Sequence, residues 1–288
     1  MNNRPPIRPE YQRDLAPVEA FTLAEPLPLI TRLFNQAWLR KSLLLLLLIG
    51  IWEVAARWQN NDLMFPSFWQ TFTALHQDMV SGELPRRAWL SVSLLLKGYL
   101  LGTLLALLIS ALAISTRIGR DLLSTLTAMF NPLPAIALLP LALLWFGLGN
   151  ASLVFVIVHS VMWPMALNTW SGFLGVSDTL KMAGRNYGLT GWRYVLWILI
   201  PAALPAILSG LKIGWAFAWR TLIAAELVFG ASSGSGGLGW YIFQNRNEMY
   251  TDRVFAGLIT VTVIGLLVES LVFSTLEKLT VKRWGMQS

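Results

Sequence analysis

The sequence predicts an all-α membrane protein of about six transmembrane helices, with a short cytoplasmic helix between the fourth and the fifth. Three observations lead there. Of 288 residues, 55% are hydrophobic and only 13% charged, about half the charge of an ordinary soluble domain, and mean hydropathy is +0.58. Six runs approach the length of about 20 mostly apolar residues that a ~30 Å hydrocarbon core requires. The lysines and arginines between those runs crowd to one side.

The first run covers about 42–58 and is entered from Arg40 and Lys41. The second, about 88–116, is interrupted by Lys97. From Leu122 to Ser177 no residue is charged, a stretch too long for one span. It divides into about 122–147 and 151–173 at the turn signal Gly147-Leu148-Gly149-Asn150. The fifth run is about 198–229 and the sixth about 254–276. The membrane domain is thus 41–279, flanked by cytoplasmic tails at 1–40 and 280–288. The N-terminal tail lacks the apolar core and cleavage site of a signal peptide.

Positive charge sets the orientation, because cytoplasmic segments carry the excess. With the N-terminus inside, inner segments hold 14 lysines and arginines, outer segments hold five, and Lys97, Lys212 and Arg220 lie within spans. Both termini are therefore expected in the cytoplasm. The net charge of +7 describes topology and implies no nucleic-acid partner.

Composition excludes several kinds of chemistry. There is no cysteine and only two histidines, His76 and His159, so disulfides and thiolate metal sites are ruled out and no metal site is expected. No paired aspartates or nucleophile with its base suggest an enzyme. No Gly-x-x-x-x-Gly-Lys-Ser/Thr loop occurs, so any ATP must be bound by another chain. A secondary transporter would show internal repeats with interrupted helices, and none is visible.

Two connecting segments have helical patterns of their own. Outside, Ser67 and Gln70 form a capping box ahead of Phe68, Trp69, Phe72, Leu75 and Met79 at helical spacing. This helix reads as a platform for a soluble partner or as one resting in the headgroup layer. Inside, about 178–188, Ser177 or Asp178 caps a short helix that Gly188 ends. Leu180, Ala183, Gly184 and Tyr187 share one small, apolar face, suited to docking in a groove on another protein. Lys181 and Arg185 point elsewhere.

This segment resembles the cytoplasmic motif of permeases from binding-protein-dependent ABC importers: Glu-Ala-Ala, three residues, Gly, nine residues, Ile-x-Leu-Pro. Ala183 matches the first Ala, Gly188 the Gly and Pro201 the Pro. Met182 replaces the acidic residue, Gly184 the second Ala and Ile200 the Leu. A second resemblance narrows the branch. Asn131-Pro132-Leu133-Pro134 through Pro140, followed by Leu143 to Gly149, is similar to the third span of nitrate, sulfonate and taurine permeases. Ala224-Ala225-Glu226-Leu227 and Gly236-Gly237-Leu238-Gly239 are similar to their fifth-span region. The resemblance covers roughly 65–279.

The resemblance implies a type I ABC importer permease fold in a bacterial inner membrane. It implies a second copy of this permease, two copies of a cytoplasmic ABC ATPase that bind ATP and Mg, and a periplasmic substrate-binding protein. Coupling to the ATPase would fall to Leu180, Met182, Ala183, Gly184, Arg185, Tyr187 and Gly188. The cargo would be a small anion.

The translocation pathway is expected beside Pro132, Pro134 and Pro140, since backbone freed by proline in a span is tolerated only against protein or a water-filled cavity. Pro201 and Pro205 would open the fifth span similarly. Asn131, Pro134, Arg220 and Glu226 are the candidate pathway residues. Arg220 and Glu226 lie six positions apart, about 240° around a helix, so they do not pair. Glu226 reads as a pathway residue or as a structural hydrogen-bond anchor. Lys97 and Lys212 read as snorkelling cations, and His159 as a satisfied packing histidine. Glu53 and Glu269 have no visible partner. Gly98-x-x-x-Gly102 and Gly210-x-x-x-Gly214 offer close helix contacts.

Overall fold

The structure is a computed structural model and describes residues 35–114, 116–229 and 236–282; the expected tails lie largely outside them. Contacts divide the chain at Ile51. Up to that point the described chain is the first part of helix α1 (Ala37–Gln59), whose leucines from Leu43 to Leu48 are all exposed. From Trp52 onward the chain forms the second unit. It contains α2 (Phe68–Val80), α3 (Glu83–Ile114), α4 (Arg117–Phe130), α5 (Ala135–Phe146) and α6 (Asn150–Leu174). It continues with α7 (Asp178–Asn186), α8 (Gly191–Ala202), α9 (Leu204–Phe229), α10 (Leu238–Asn247) and α11 (Thr251–Val281). Among the described residues there is no strand.

Helices α3, α6 and α11 are each long and apolar enough to cross a bilayer. The expected third and fifth spans are instead bent pairs: α4 and α5 meet at 91°, α8 and α9 at 78°. Proline explains both corners. Pro132 and Pro134 withhold N–H groups where α4 stops, which interrupts the helical hydrogen bonding there. Pro201 and Pro205 flank the second corner at Ala203. Pro140 does not break the third segment as expected. It occupies the first turn of α5 after the opening 3₁₀ turn, where a missing N–H costs nothing.

Helix α6 is the centre of the packing, with α3 on one side and α9 on the other. Both glycine pairs are used here. A Cβ at Gly98 would come 2.6 Å from Ile157, and one at Gly102 2.9 Å from Val161. On the other side, Gly210 lies against Met165 and Asn168, and Gly214 against Val161. Small residues thus let three backbones approach closely, the usual means of helix association in lipid. Hydrogen bonds tie α9 to α3 and to α11: Tyr99 O–H donates to the Leu211 carbonyl at 2.9 Å, and Trp219 Nε1 donates to the Val261 carbonyl at 3.2 Å.

The capping box at Ser67 forms as read: Ser67 Oγ accepts from Gln70 N–H at 3.2 Å, and Gln70 Oε1 from Ser67 N–H at 2.8 Å. Glu53 finds a use here, accepting the Phe68 N–H at 3.0 Å while pairing with Arg57 at 2.8 Å. Lys212 does not snorkel; it joins α9 to α11 through Glu269 at 2.8 Å and Glu277 at 3.4 Å.

Candidate functional site

The corner between α4 and α5 opens a cavity of about 410 Å³ facing α6 and α9. Asn131 and Pro134 line it from the corner, and Arg220 lines it from α9 together with Phe217 and Thr221. Three of the four candidate pathway residues therefore meet at one place. Arg220 makes no ion pair among the described residues. Its Nε–H donates to the Ala216 carbonyl at 3.1 Å and its guanidinium lies 5.0 Å from the Phe217 ring centroid. A guanidinium has five N–H donors, so most of its capacity is unspent.

The opposite wall comes from α6. His159 and Trp163 both line the cavity. His159 is not the satisfied packing histidine that its position suggests: neither ring nitrogen has a hydrogen-bond partner, and the same holds for Trp163 Nε1. Phe130 stacks on Trp163 at 5.0 Å and meets His159 edge to face at 6.2 Å. Each buried polar atom without a partner costs about 1–3 kcal/mol. These buried nitrogens and the unpaired Arg220 guanidinium thus belong to residues around one cavity.

Glu226 makes the contacts of a structural hydrogen-bond anchor, the second of its two readings. It does not line this cavity. Its side chain is only 4% exposed and is held between elements: Gly239 N–H donates to Oε2 at 2.8 Å, and Ser91 Oγ lies 2.9 Å from the same oxygen. Ser91 Oγ in turn accepts the Leu238 N–H at 2.8 Å. The carboxylate therefore caps the N-terminus of α10 and joins it to α3 and α9, the favourable place for a negative charge. Nearby Arg87 pairs with Glu83 at 2.7 Å and donates to the Gly236 carbonyl at 2.7 Å. The Gly236-Gly237-Leu238-Gly239 segment is explained by close approach, since a Cβ at Gly239 would lie 2.5 Å from Glu226 Cβ.

The segment expected in the cytoplasm forms α7, capped by Ser177 Oγ, which accepts from Leu180 N–H at 3.4 Å. Its end is a Schellman motif: Leu189 N–H donates to the Gly184 carbonyl at 3.1 Å and Gly188 N–H to that of Arg185 at 2.9 Å. Gly188 has φ +70°, where a Cβ is strained. The expected docking face needs correction. Gly184 is buried inside the chain, 2.8 Å from Ile198 by the Cβ it lacks, and Ala183 is half-buried beside it. Met182, Arg185 and Tyr187 are exposed, as is Leu180 at the edge. The small residues seat α7 on α8, and the larger ones are free to meet a partner. Lys181 Nζ donates to the Leu174 carbonyl at 3.3 Å, tying α7 to the end of α6 as well.

Comparison with known proteins agrees with this architecture. The profile of the family described as binding-protein-dependent transport system inner membrane component matches residues 98–281. A putative ABC transporter permease protein from Methanocaldococcus jannaschii is 32% identical over 227 residues, covering 77% of this chain and 84% of that protein. The putative aliphatic sulfonates transport permease protein of Escherichia coli K12 is 30% identical over 224 residues, covering 77% and 83%. The nitrate import permease protein of Synechocystis is 25% identical over 256 residues, covering 86% and 91%. Among solved structures, an amino acid ABC transporter crystallised with histidines aligns at a TM-score of 0.56 and 21% identity, over 73% of this chain and 97% of that one. That likeness concerns the fold. The bent third and fifth segments, the helix capped at Ser177 and the matched profile lead to one conclusion: the chain belongs to the family of binding-protein-dependent transport system inner membrane components.

Proposed function

We propose that the chain forms the translocation pathway of an ABC importer for a small anion of the sulfonate, taurine or nitrate kind. A periplasmic binding protein delivers the solute, and two copies of a cytoplasmic ATPase drive a pair of permeases, both termini of each lying in the cytoplasm. The observation that carries this reading is Arg220, an arginine on a membrane helix with no carboxylate partner among the described residues, set in a cavity of about 410 Å³. An intramembrane charge of that kind marks a solute path by default. The names of the sulfonate and nitrate relatives support the choice of cargo.

Energy enters through α7. Movement of the exposed Met182, Arg185 and Tyr187 with the ATPase is passed by Gly184 to Ile198 on α8, around the corner at Ala203, and along α9 to Arg220. The cavity itself needs only to hold an anion weakly and release it. Uptake into proteoliposomes, with ATPase, binding protein and ATP supplied, tests the reading across taurine, alkanesulfonates and nitrate. ATP-dependent uptake of one of these anions, largely lost in Arg220→Gln, is expected. Uptake that proceeds without ATP or its ATPase, or that is indifferent to Arg220, overturns it.

A further inference from the structure

Below the Arg220 cavity, α4 carries a row of polar residues that leads away from the pathway candidate Asn131. Arg117, Arg120, Asp121, Ser124, Thr127 and Asn131 recur at three- and four-residue intervals, the spacing of one helical face. That face runs the length of the 14-residue helix, ~20 Å at 1.5 Å per residue. It borders open space throughout. The Arg220 cavity shares Asn131 and Pro132 with a second cavity of about 350 Å³, which also touches Ser124, Trp170 and Leu174. A third, of about 500 Å³, shares those last three residues and adds Arg117, Arg120 and Asp121. The three cavities thus form a series with common walls, α4 on one side and the end of α6 on the other.

The charges along this series are arranged in one sense. Arg220 stands at its inner end. The middle is neutral, with the exposed Ser124 facing Trp170 and Leu174 across the space. At the outer end two guanidiniums face one carboxylate, and neither arginine is in an ion pair among the described residues; Arg120 donates only to the Thr116 carbonyl, at 3.4 Å. A polar face on a membrane helix is tolerated where it lines a water-filled cavity, and a cleft whose lining is net positive, here two arginines against Asp121, concentrates anions.

We propose that the transported anion leaves along this face of α4, with Arg117 and Arg120 forming an anion-selective mouth on the cytoplasmic side. The assignment rests on the translocation reading and orientation above and adds the exit and its charge filter. An anion released from Arg220 meets no other fixed cation until the mouth, so it is drawn outward without a second tight site, while cations are repelled at the mouth.

The chain has no cysteine, so Ser124→Cys in the full chain gives a single reactive thiol with no background. Labelling rates are compared in inside-out and right-side-out membrane vesicles, using one thiosulfonate reagent bearing a sulfonate and another bearing a trimethylammonium group. Labelling from the cytoplasmic side, several-fold faster with the anionic reagent, is expected. The preference should vanish in the added double variant Arg117→Gln/Arg120→Gln and survive in Arg117→Lys/Arg120→Lys. Should the glutamine variant fail to insert, ionic strength serves instead: the preference falls with salt if these exposed charges create it. Equal rates for the two reagents, labelling from the periplasmic side alone, or a preference indifferent to salt would each overturn the proposal. The labelling needs neither solute nor ATP, so its failure is distinct from failure of uptake.

Discussion

Gly184 on α7 lies so close to Ile198 on α8 that a Cβ at Gly184 would stand 2.8 Å from Ile198 Cγ1 and 3.2 Å from Tyr194 Cε2. This contact joins α7 to the bent fifth segment. In Gly184→Val the branched side chain must push α7 away from α8, so the complex is expected to assemble while solute-stimulated ATP hydrolysis falls several-fold. Gly184→Ala should fall less. Hydrolysis measured with and without the binding protein reads the effect; unchanged stimulation in the valine variant would show that this contact carries no signal.

Gly188 acts by a different mechanism. Nothing lies within 4 Å of a Cβ built there, yet φ is +70°, so a substitution is strained by its backbone rather than by a clash. An L-residue in this conformation costs about 1–2 kcal/mol, with asparagine tolerated best. Gly188→Val should depress stimulated hydrolysis, and Gly188→Asn should retain most of it. Similar values for the two variants would remove the Schellman turn from the coupling path.

His159 offers a test in which function and stability move in opposite directions. His159→Phe keeps the ring and removes two buried nitrogens without partners, so the melting temperature should rise, each such atom costing about 1–3 kcal/mol. If those nitrogens serve the passing anion, KM for uptake should rise in the same variant. A gain in stability with unaltered uptake would make His159 a packing residue after all.

Glu226 is separable from the pathway by charge. Glu226→Gln retains an acceptor for the Gly239 N–H and should transport nearly as well as the parent chain. Glu226→Ala strands Ser91 and the start of α10 and should destabilise the protein by about 1–3 kcal/mol, seen as a lowered melting temperature. A large loss of uptake in the glutamine variant, with stability intact, would return Glu226 to the solute path.

These residues also mark how far the sequence could be read. Asn131, Pro134 and Arg220 could be grouped in advance because each violates a rule of the membrane interior: freed backbone or unpaired charge must face a cavity. Glu226 and Glu269 break the same rule, but their partners Ser91 and Lys212 are distant in sequence; Ser91 is 135 positions away. Hydropathy contains no term for such pairing. On α7, periodicity correctly placed Ala183 and Gly184 together, yet a helical pattern fixes only relative direction. Whether that side meets a partner or the chain's own α8 depends on Ile198 and Tyr194, which fold back from beyond the turn. For His159, Trp163 stands four positions along the same helix, but Phe130 becomes a neighbour only once α4 has packed on α6, and periodicity does not show whether the ring nitrogens find a partner there.

The 78° corner at Ala203 has a mechanical consequence. Backbone hydrogen bonds run up to it and away from it, Ala203 N–H to Leu199 at 2.9 Å and Ile207 N–H to Ala203 at 3.0 Å, so a corner that stays rigid would couple the two arms. Ile198 stands five residues before the pivot and Arg220 seventeen beyond it, arms of ~7 Å and ~25 Å at 1.5 Å per residue. A bell-crank with those arms multiplies displacement about threefold, so a shift of ~1 Å at Ile198 would swing Arg220 by ~3 Å. That is the reach of one hydrogen bond, enough to break a contact made by its guanidinium.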